Sequence, residues 1–369
     1  MSTFKYADEK IKSQDIMIAV PSMVIAVGIF NFPATLAEST RYADGWVGVL
    51  IGGIIVILFT WVVAKLASLF PNQSFLSYSS SLVSKPVASV LTILFVLQGI
   101  LIAAFEVSTI SIVSHLYLYE RTPYEVVAIT FLLVVVYAVS GSRAGIFRIN
   151  VLFLPLIFLI SGLLMLFSIN FMEIKNVLPV FTTDIRGYVR GTFDSALAYS
   201  GVGILFFYVS LVRDVEKVPS RAVFGMSWVV VLYLFVYLTC IAVFGQETTE
   251  VIHFPFIELA QSVEIPGGFF ERMESIFFVI WITAIFTTAM MSFDVSIMAL
   301  QSLFPKLNKH TAVFILSPII YFIAMVPNNY LDQIKFGKLL SYATWILPGF
   351  VAILLWVMYA VKGGNRLEK

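Results

Sequence analysis

Glu106 is a carboxylate inside an apolar run covering residues 86–117. An ionised side chain at bilayer depth costs roughly 3 kcal/mol or more, so it must face a cavity, a partner or a proton. Gln98 lies two turns and a little before it, on the same broad face of a helix. Two readings of Glu106 stand: a carboxylate on a cavity or water path, or a hydrogen-bonded packing residue near the outer interface. A second run, 269–303, carries Thr283, Thr287 and Asp294. At about 100° per residue these three share one narrow stripe, and Thr288 points elsewhere. Asp294 is either a proton site or the partner of an arginine such as Arg148 or Arg213.

Backbone chemistry is written in two further places. Gly28, Asn31 and Pro33 fall within six residues of the run 14–36, and Ser200-Gly201-Val202-Gly203 falls in the run 190–212. Pro33 removes an N–H and frees the carbonyl of Ile29. Asn31 competes for backbone hydrogen bonds, and paired glycines permit unwinding. A broken helix in lipid persists where its free backbone groups line a cavity. Half-helix N-termini there attract a carboxylate, and unwound carbonyls attract a cation or amine. An amino acid presents both charges. The competing reading of each break is close packing of small residues against a neighbouring helix.

The elements that position these groups are membrane spans. Apolar residues make up 60% of the 369 and charged ones 12%, against about 25% charged in soluble domains. So few charges cannot cover a water-soluble surface, which excludes soluble enzymes, disordered scaffolds and nucleic-acid binders. Runs long enough to cross a bilayer fall at 14–36, 46–70, 86–117, 123–141, 147–170, 190–212, 219–245, 269–303, 311–326 and 339–361. Placing the N-terminus in the cytoplasm puts fifteen of the 23 Lys/Arg on the inner side, which predicts both termini inside. Ten spans are twice five, and five is odd, so the second half runs inverted relative to the first. Val27-Gly28-Ile29-Phe30-Asn31-Phe32 and Val202-Gly203-Ile204-Leu205-Phe206-Phe207 agree at four of six positions, one in the first span of each half. The predicted organisation is one membrane domain over 1–369, with repeats at about 14–170 and 190–361.

The lone Cys240 permits no internal disulfide, and His115, His253 and His310 lack metal-ligand spacing. No nucleophile–base pair, phosphate loop or zinc motif is present, so the reading is no enzyme and no cofactor. The stretch 247–264 alternates Glu247, Glu250, Glu258 and Glu264 with Val251, Phe254, Phe256 and Leu259. It is either a short amphipathic helix over an outer vestibule or a solvated loop. Asp194 is expected at the outer start of the sixth span, where it favours the helix N-terminus.

Ten spans, Ala26-Val27-Gly28-Ile29-Phe30-Asn31-Phe32-Pro33 in the first and Ser200-Gly201-Val202-Gly203 in the sixth resemble the amino acid–polyamine–organocation superfamily. Length and minimal termini resemble, within it, the B subunits of bacterial spore nutrient-germinant receptors. The resemblance implies an all-α, LeuT-like transporter fold of five plus five inverted helices with the first and sixth broken. It implies a nutrient, such as an amino acid, bound between the breaks. The ligand-contacting candidates are Ala26, Gly28, Asn31, Gln98, Ser200, Gly201, Gly203 and Thr287, the last because the eighth span of this fold packs beside the first break. It also implies two partner subunits, of the A and C types, and the inner membrane of a dormant spore. Many family members have two glycines flanking the first break; Ala26 replaces the first, leaving Asn31 and Pro33 to help open the helix.

The expected function is nutrient sensing passed to partner subunits. The runner-up is a proton-coupled amino-acid transporter using Glu106 or Asp294, and a water or ion pore along the same axis is compatible with either. Reporter fusions at Lys369 and within 247–264 are expected to report opposite sides of the membrane. Identical sides would undo the ten-span count.

Overall fold

Backbone N–H and C=O groups in hydrocarbon have only each other for partners, so long apolar runs fold as helices. The computed structural model describes residues 10–26, 28–118, 121–262, 273–327 and 329–362. The helices are α1 (Ser13–Val24), α2 (Gly28–Ser39), α3 (Gly45–Ser68), α4 (Phe75–Leu82), α5 (Lys85–Tyr117), α6 (Tyr124–Ser140), α7 (Arg143–Phe167) and α8 (Ile174–Val177). They continue as α9 (Ile185–Ala198), α10 (Leu205–Tyr208), α11 (Val218–Phe244), α12 (Gln246–Val251), α13 (Pro255–Ser262), α14 (Met273–Leu303), α15 (Lys309–Ala324) and α16 (Tyr330–Val361).

Among the described residues six helices are long and apolar enough to cross a membrane: α3, α5, α7, α11, α14 and α16. Two bent pairs bring the count to eight: α1 with α2 at 57°, and α9 with the segment Val202–Leu211 at 42°. The shorter apolar helices α6 and α15 occupy the remaining two expected positions. Two boundaries differ from the hydropathy reading. Asp184 accepts from Gly187 N and caps α9, so that helix starts before the apolar run and Asp194 sits well inside it. Asn329 caps α16 through Asp332 N, so the last span begins at Tyr330. The expected cytoplasmic termini fall on residues 1–9 and 363–369, outside the described residues.

α14 runs through the centre; Phe278, Ile285, Met290, Phe293 and Ile297 are all buried. α3 carries small residues on one face. A Cβ at Gly48 would lie 2.8 Å from the Gly191 backbone, and one at Gly52 3.0 Å from the Thr192 carbonyl. Only glycine lets α9 approach so closely, and α3 thereby fixes the first half of the broken sixth span.

Bonds between connections identify the two faces of the bundle. On the face carrying Ser13, called the near face, Ser13 N and Oγ donate to Asp214 at 2.8 and 2.6 Å. Ile11 also exchanges backbone bonds with Leu211 and Arg213 there. On the far face, buried Asp44 accepts from the amides of Phe181, Thr182 and Thr183 at 2.6–2.8 Å and from Tyr188 Oη at 3.0 Å. Burial opposes the ionisation of Asp44, but these amide donors outweigh it and hold its carboxyl below the usual carboxylate range.

Replacing Asp44 with Asn leaves several buried donors short of an anionic acceptor. The expected loss is about 2–4 kcal/mol, read as a fall in the thermal midpoint of the detergent-solubilised protein. Because the folded pKa is depressed, the stabilisation is complete above the unfolded value near 3.9 and fades as pH falls through the folded one. The midpoint difference between wild type and Asp44→Asn should therefore shrink below about pH 4; a difference that persists there would assign the effect to shape alone.

Candidate functional site

The first span breaks between Ile25 and Gly28, one step earlier than Asn31 and Pro33 suggested. Ile25 N still reaches Pro21 O, whereas Ala26 N turns back to Val24 O and α2 restarts at Gly28. Pro33 sits inside α2 without ending it, because the missing bond lies early in a helix held on several sides. Asn31 is helical. Val27 lies outside the described residues.

The carbonyls freed at the end of α1 are not left bare. Ser22 O accepts from Thr287 at 3.2 Å and Thr288 at 3.0 Å, Met23 O from Thr288 at 3.3 Å, and Val24 O from Tyr233 Oη at 3.2 Å. The second break follows α9. Gly201 has φ +131°, a value side-chain-bearing residues rarely adopt, and a Cβ there would lie 3.0 Å from Met23 Cγ. One turn of 3₁₀ helix, Val202–Ile204, then leads into α10. The breaks therefore touch each other. A Cβ on Gly28, at the start of α2, would lie 3.3 Å from the carbonyl oxygen of Ala198, at the end of α9.

Between them lies a cavity of about 620 Å³. Of the candidates, Ala26, Gly28, Asn31, Ser200, Gly201 and Glu106 line it. Gln98 and Gly203 line, with Gly201, a second void of about 20 Å³, room for roughly one water. Met23, Ile102, Gly201 and Thr344 border both, so the small void is the floor of the large cavity. Gln98 Nε2 donates to Ala343 O at 2.9 Å.

Thr287 is not among the lining residues. Its fully buried hydroxyl donates to Ser22 O and Ala284 O. The cavity-facing residue of α14 is Thr288, which the helical stripe had turned away. Asp294 lies outside both cavities. It is fully buried, with Arg143 Nε at 3.4 Å, Lys309 Nζ at 3.7 Å and Tyr208 Oη donating at 3.2 Å. It is thus paired at the near-face ends of α7 and α15, with cations other than the two the sequence nominated. Arg148 is exposed.

Glu106 is 4% exposed, and its Oε2 has no hydrogen-bond partner among the described residues. Two residues along α5, Ser108 donates to Gln333 Oε1 at 2.9 Å, and Gln333 also bonds Thr109 and Phe105 O. Gln333 went unseen because hydropathy starts the last span after it; the Asn329 cap was the available signal. Toward the far face the cavity ends in charges: Arg190 pairs with Glu38 at 2.9 Å, and Ser39 donates to Asp194 at 2.6 Å. α12 and α13 cover this side. Phe254, Phe256 and Leu259 are buried, and His253 faces Tyr330 at 4.5 Å between ring centroids. The stretch after Gly245 is therefore two short helices over a vestibule; Glu264 lies outside the described residues. Among the described residues no three His, Cys, Asp or Glu cluster as metal ligands.

This geometry can hold a small polar solute. Gly28 at the start of α2 and Ala198 at the end of α9 both line the cavity, and a helix start carries partial positive charge and a helix end partial negative charge.

The family described as "Spore germination protein" matches residues 10–333. Spore germination protein GerLB of Bacillus cereus is 38% identical, with 99% of each chain covered. Spore germination protein YndE of Bacillus subtilis (strain 168) is 29% identical, with 98% of each covered. Among solved structures, MhsT in complex with L-phenylalanine covers 92% of this chain and 88% of its own at a TM-score of 0.73 and 16% identity. Mhp1, a nucleobase-cation-symport-1 family transporter with bromovinylhydantoin bound, covers 93% and 78% at 0.65 and 15% identity. The fold is thus the all-α, LeuT-like transporter fold expected, with the first and sixth spans broken.

Gly201→Val is expected to force a strained backbone against Met23 and lower the thermal midpoint by several degrees. Gly162→Ala, where a Cβ meets nothing within 4 Å, should leave it unchanged or raise it. Equal midpoints for Gly201→Val and wild type would show that the second break does not need glycine.

Proposed function

Because this chain belongs to the spore germination protein family, we propose that it is a nutrient-sensing subunit of a germination receptor. It sits in the inner membrane of the spore with both termini cytoplasmic. An amino-acid-like germinant enters from the far face and binds between the breaks of the first and sixth spans. The observation that carries this reading is the cavity of about 620 Å³ bordered by Ala26, Gly28, Ser200 and Gly201, where the helix ends supply opposite partial charges. Gln98, Asn31 and Gly203 complete the site at its wall and floor.

A ligand shifts a conformational equilibrium only through differential affinity for its states. The near face is held shut by the Ser13–Asp214 bonds and by the Arg143–Asp294–Lys309 cluster, while the cavity reaches the charged ring at Glu38, Arg190 and Lys338. Binding that draws α2 and α9 together narrows the far side, and A- and C-type partner subunits read that movement. The transporter reading rests on Glu106, a residue that lines the cavity and whose buried, unpartnered Oε2 offers a place for a proton. It predicts proton-driven accumulation of labelled amino acid in liposomes, and the sensor reading predicts saturable binding without accumulation.

A Cβ on Gly203 would lie 3.1 Å from Pro348 Cγ and 3.5 Å from Phe95 Cε1, so a larger side chain there fills the floor of the site. Spores carrying Gly203→Leu are expected to accumulate the protein yet fail to germinate on an amino-acid mixture, with Gly203→Ala intermediate. Normal nutrient sensitivity in Gly203→Leu would move the site elsewhere.

A further inference from the structure

Among the residues lining the large cavity, four carboxylates face two permanent cations: Glu38, Glu106, Asp194 and Glu250 against Arg190 and Lys338. Their placement is uneven. Arg190 lies 2.9 Å from Glu38 and 3.9 Å from Asp194, and Glu250 and Lys338 are exposed. These five belong to the mouth. Glu106 stands apart. Ile102, one helical turn below it on α5, borders the floor void, so Glu106 is a turn above the bottom of the cavity, at the level of the breaks.

Among the described residues no cation pairs with Glu106. Its ion pairs and hydrogen bonds are absent among the described residues, and Oε2 is sealed from the cavity's solvent without a partner. A buried carboxylate in that condition is costly unless a proton or an arriving cation neutralises it. The carbonyls at the end of α1 are partly committed: Ser22 O and Met23 O to the α14 threonines, Val24 O to Tyr233. The excess of negative charge along the cavity also favours entry of a cation.

We propose that Glu106 is the ammonium-recognising residue of the site, so that the cavity selects amines and amino acids over neutral or purely anionic nutrients. The ligand ammonium donates to the Glu106 carboxylate, and its remaining hydrogens reach the carbonyls at the end of α9. A ligand carboxylate, where present, turns from Glu106 toward the N-terminus of α2. Sugars and nucleosides leave Glu106 without its counter-ion and bind weakly. The proposal rests on the ligand-site reading given above and goes beyond it by assigning the charge that selects the ligand.

The test uses the full chain in lipid nanodiscs. The twenty standard L-amino acids are screened singly by thermal shift, and each binder is compared with the α-hydroxy acid that replaces its ammonium with a hydroxyl. Wild type is expected to bind the amino acid about tenfold or more tightly than the hydroxy acid, the loss that follows from removing one charge-assisted bond. In Glu106→Gln the amino acid should weaken by a similar factor and the hydroxy acid should not, so the discrimination collapses. Equal affinity of wild type for the two probes would overturn the proposal even if Glu106→Gln failed to fold. So would an unchanged ratio in a folded Glu106→Gln, which would leave Glu106 a packing or proton-carrying residue. Binding that Gly203→Leu abolishes and Glu106→Gln leaves intact defeats this proposal alone. No binding by any of the twenty defeats the ligand-site reading and this one with it.

Discussion

The structure depends on one constraint: inside hydrocarbon every backbone amide and carbonyl must find a partner within the protein. It makes the chain helical almost throughout and makes each interruption a structural commitment. The interruption at Ile25–Gly28 exposes the last carbonyls of α1, and three side chains on α14 and α11 supply the hydrogens. Thr287, Thr288 and Tyr233 belong to helices far apart in sequence that share one task. Without them the break would close into continuous helix or draw water into the core. Residues at both breaks, Ala26, Gly28, Ser200 and Gly201, border the large cavity, so it sits where the helices stop.

The helices around the breaks are arranged to keep that site in place. α3 presents glycines to α9 and brings the outer half of the sixth span to backbone contact. Asp44, at the head of α3, gathers the amides of residues 181–183 and so ties the segment leading into α9 to the same helix. On the opposite face, Asp294 collects two cations from the starts of α7 and α15 in a fully buried position. Taking that carboxylate out of water is tolerable because the cations and the Tyr208 hydroxyl replace its hydration. The same groups join four helices, α7, α10, α14 and α15, on the near face.

Glu106 and Asp294 illustrate how position sets the role of the same chemistry. Both are carboxylates at membrane depth. Asp294 is saturated by the protein's own charges and works as a fastener. Among the described residues Glu106 has no such ion pair and lines the large cavity. The resemblance to transporters at 15–16% identity concerns the scaffold.

Hydropathy along the chain was sufficient for the ten apolar segments, the all-α fold and the locations of both breaks, because each depends on local composition: length of apolar run, glycine, serine and proline. It also singled out Glu106, which lines the large cavity, since a lone carboxylate in such a run stands out by composition alone. The facing of each helix was decided only in three dimensions. Thr288 rather than Thr287 meets the cavity, Arg143 and Lys309 rather than Arg148 or Arg213 meet Asp294, and Gln333 joins α5 from a segment read as lying before the last span. A soluble helix marks its outside with polar residues, but here lipid and protein interior are equally apolar, so leucine on one face is indistinguishable from leucine on the other. Helix rotation, the choice among cations of similar depth and the exact residue at which the first span opens are therefore settled by close packing between helices, a property no single segment of the sequence carries.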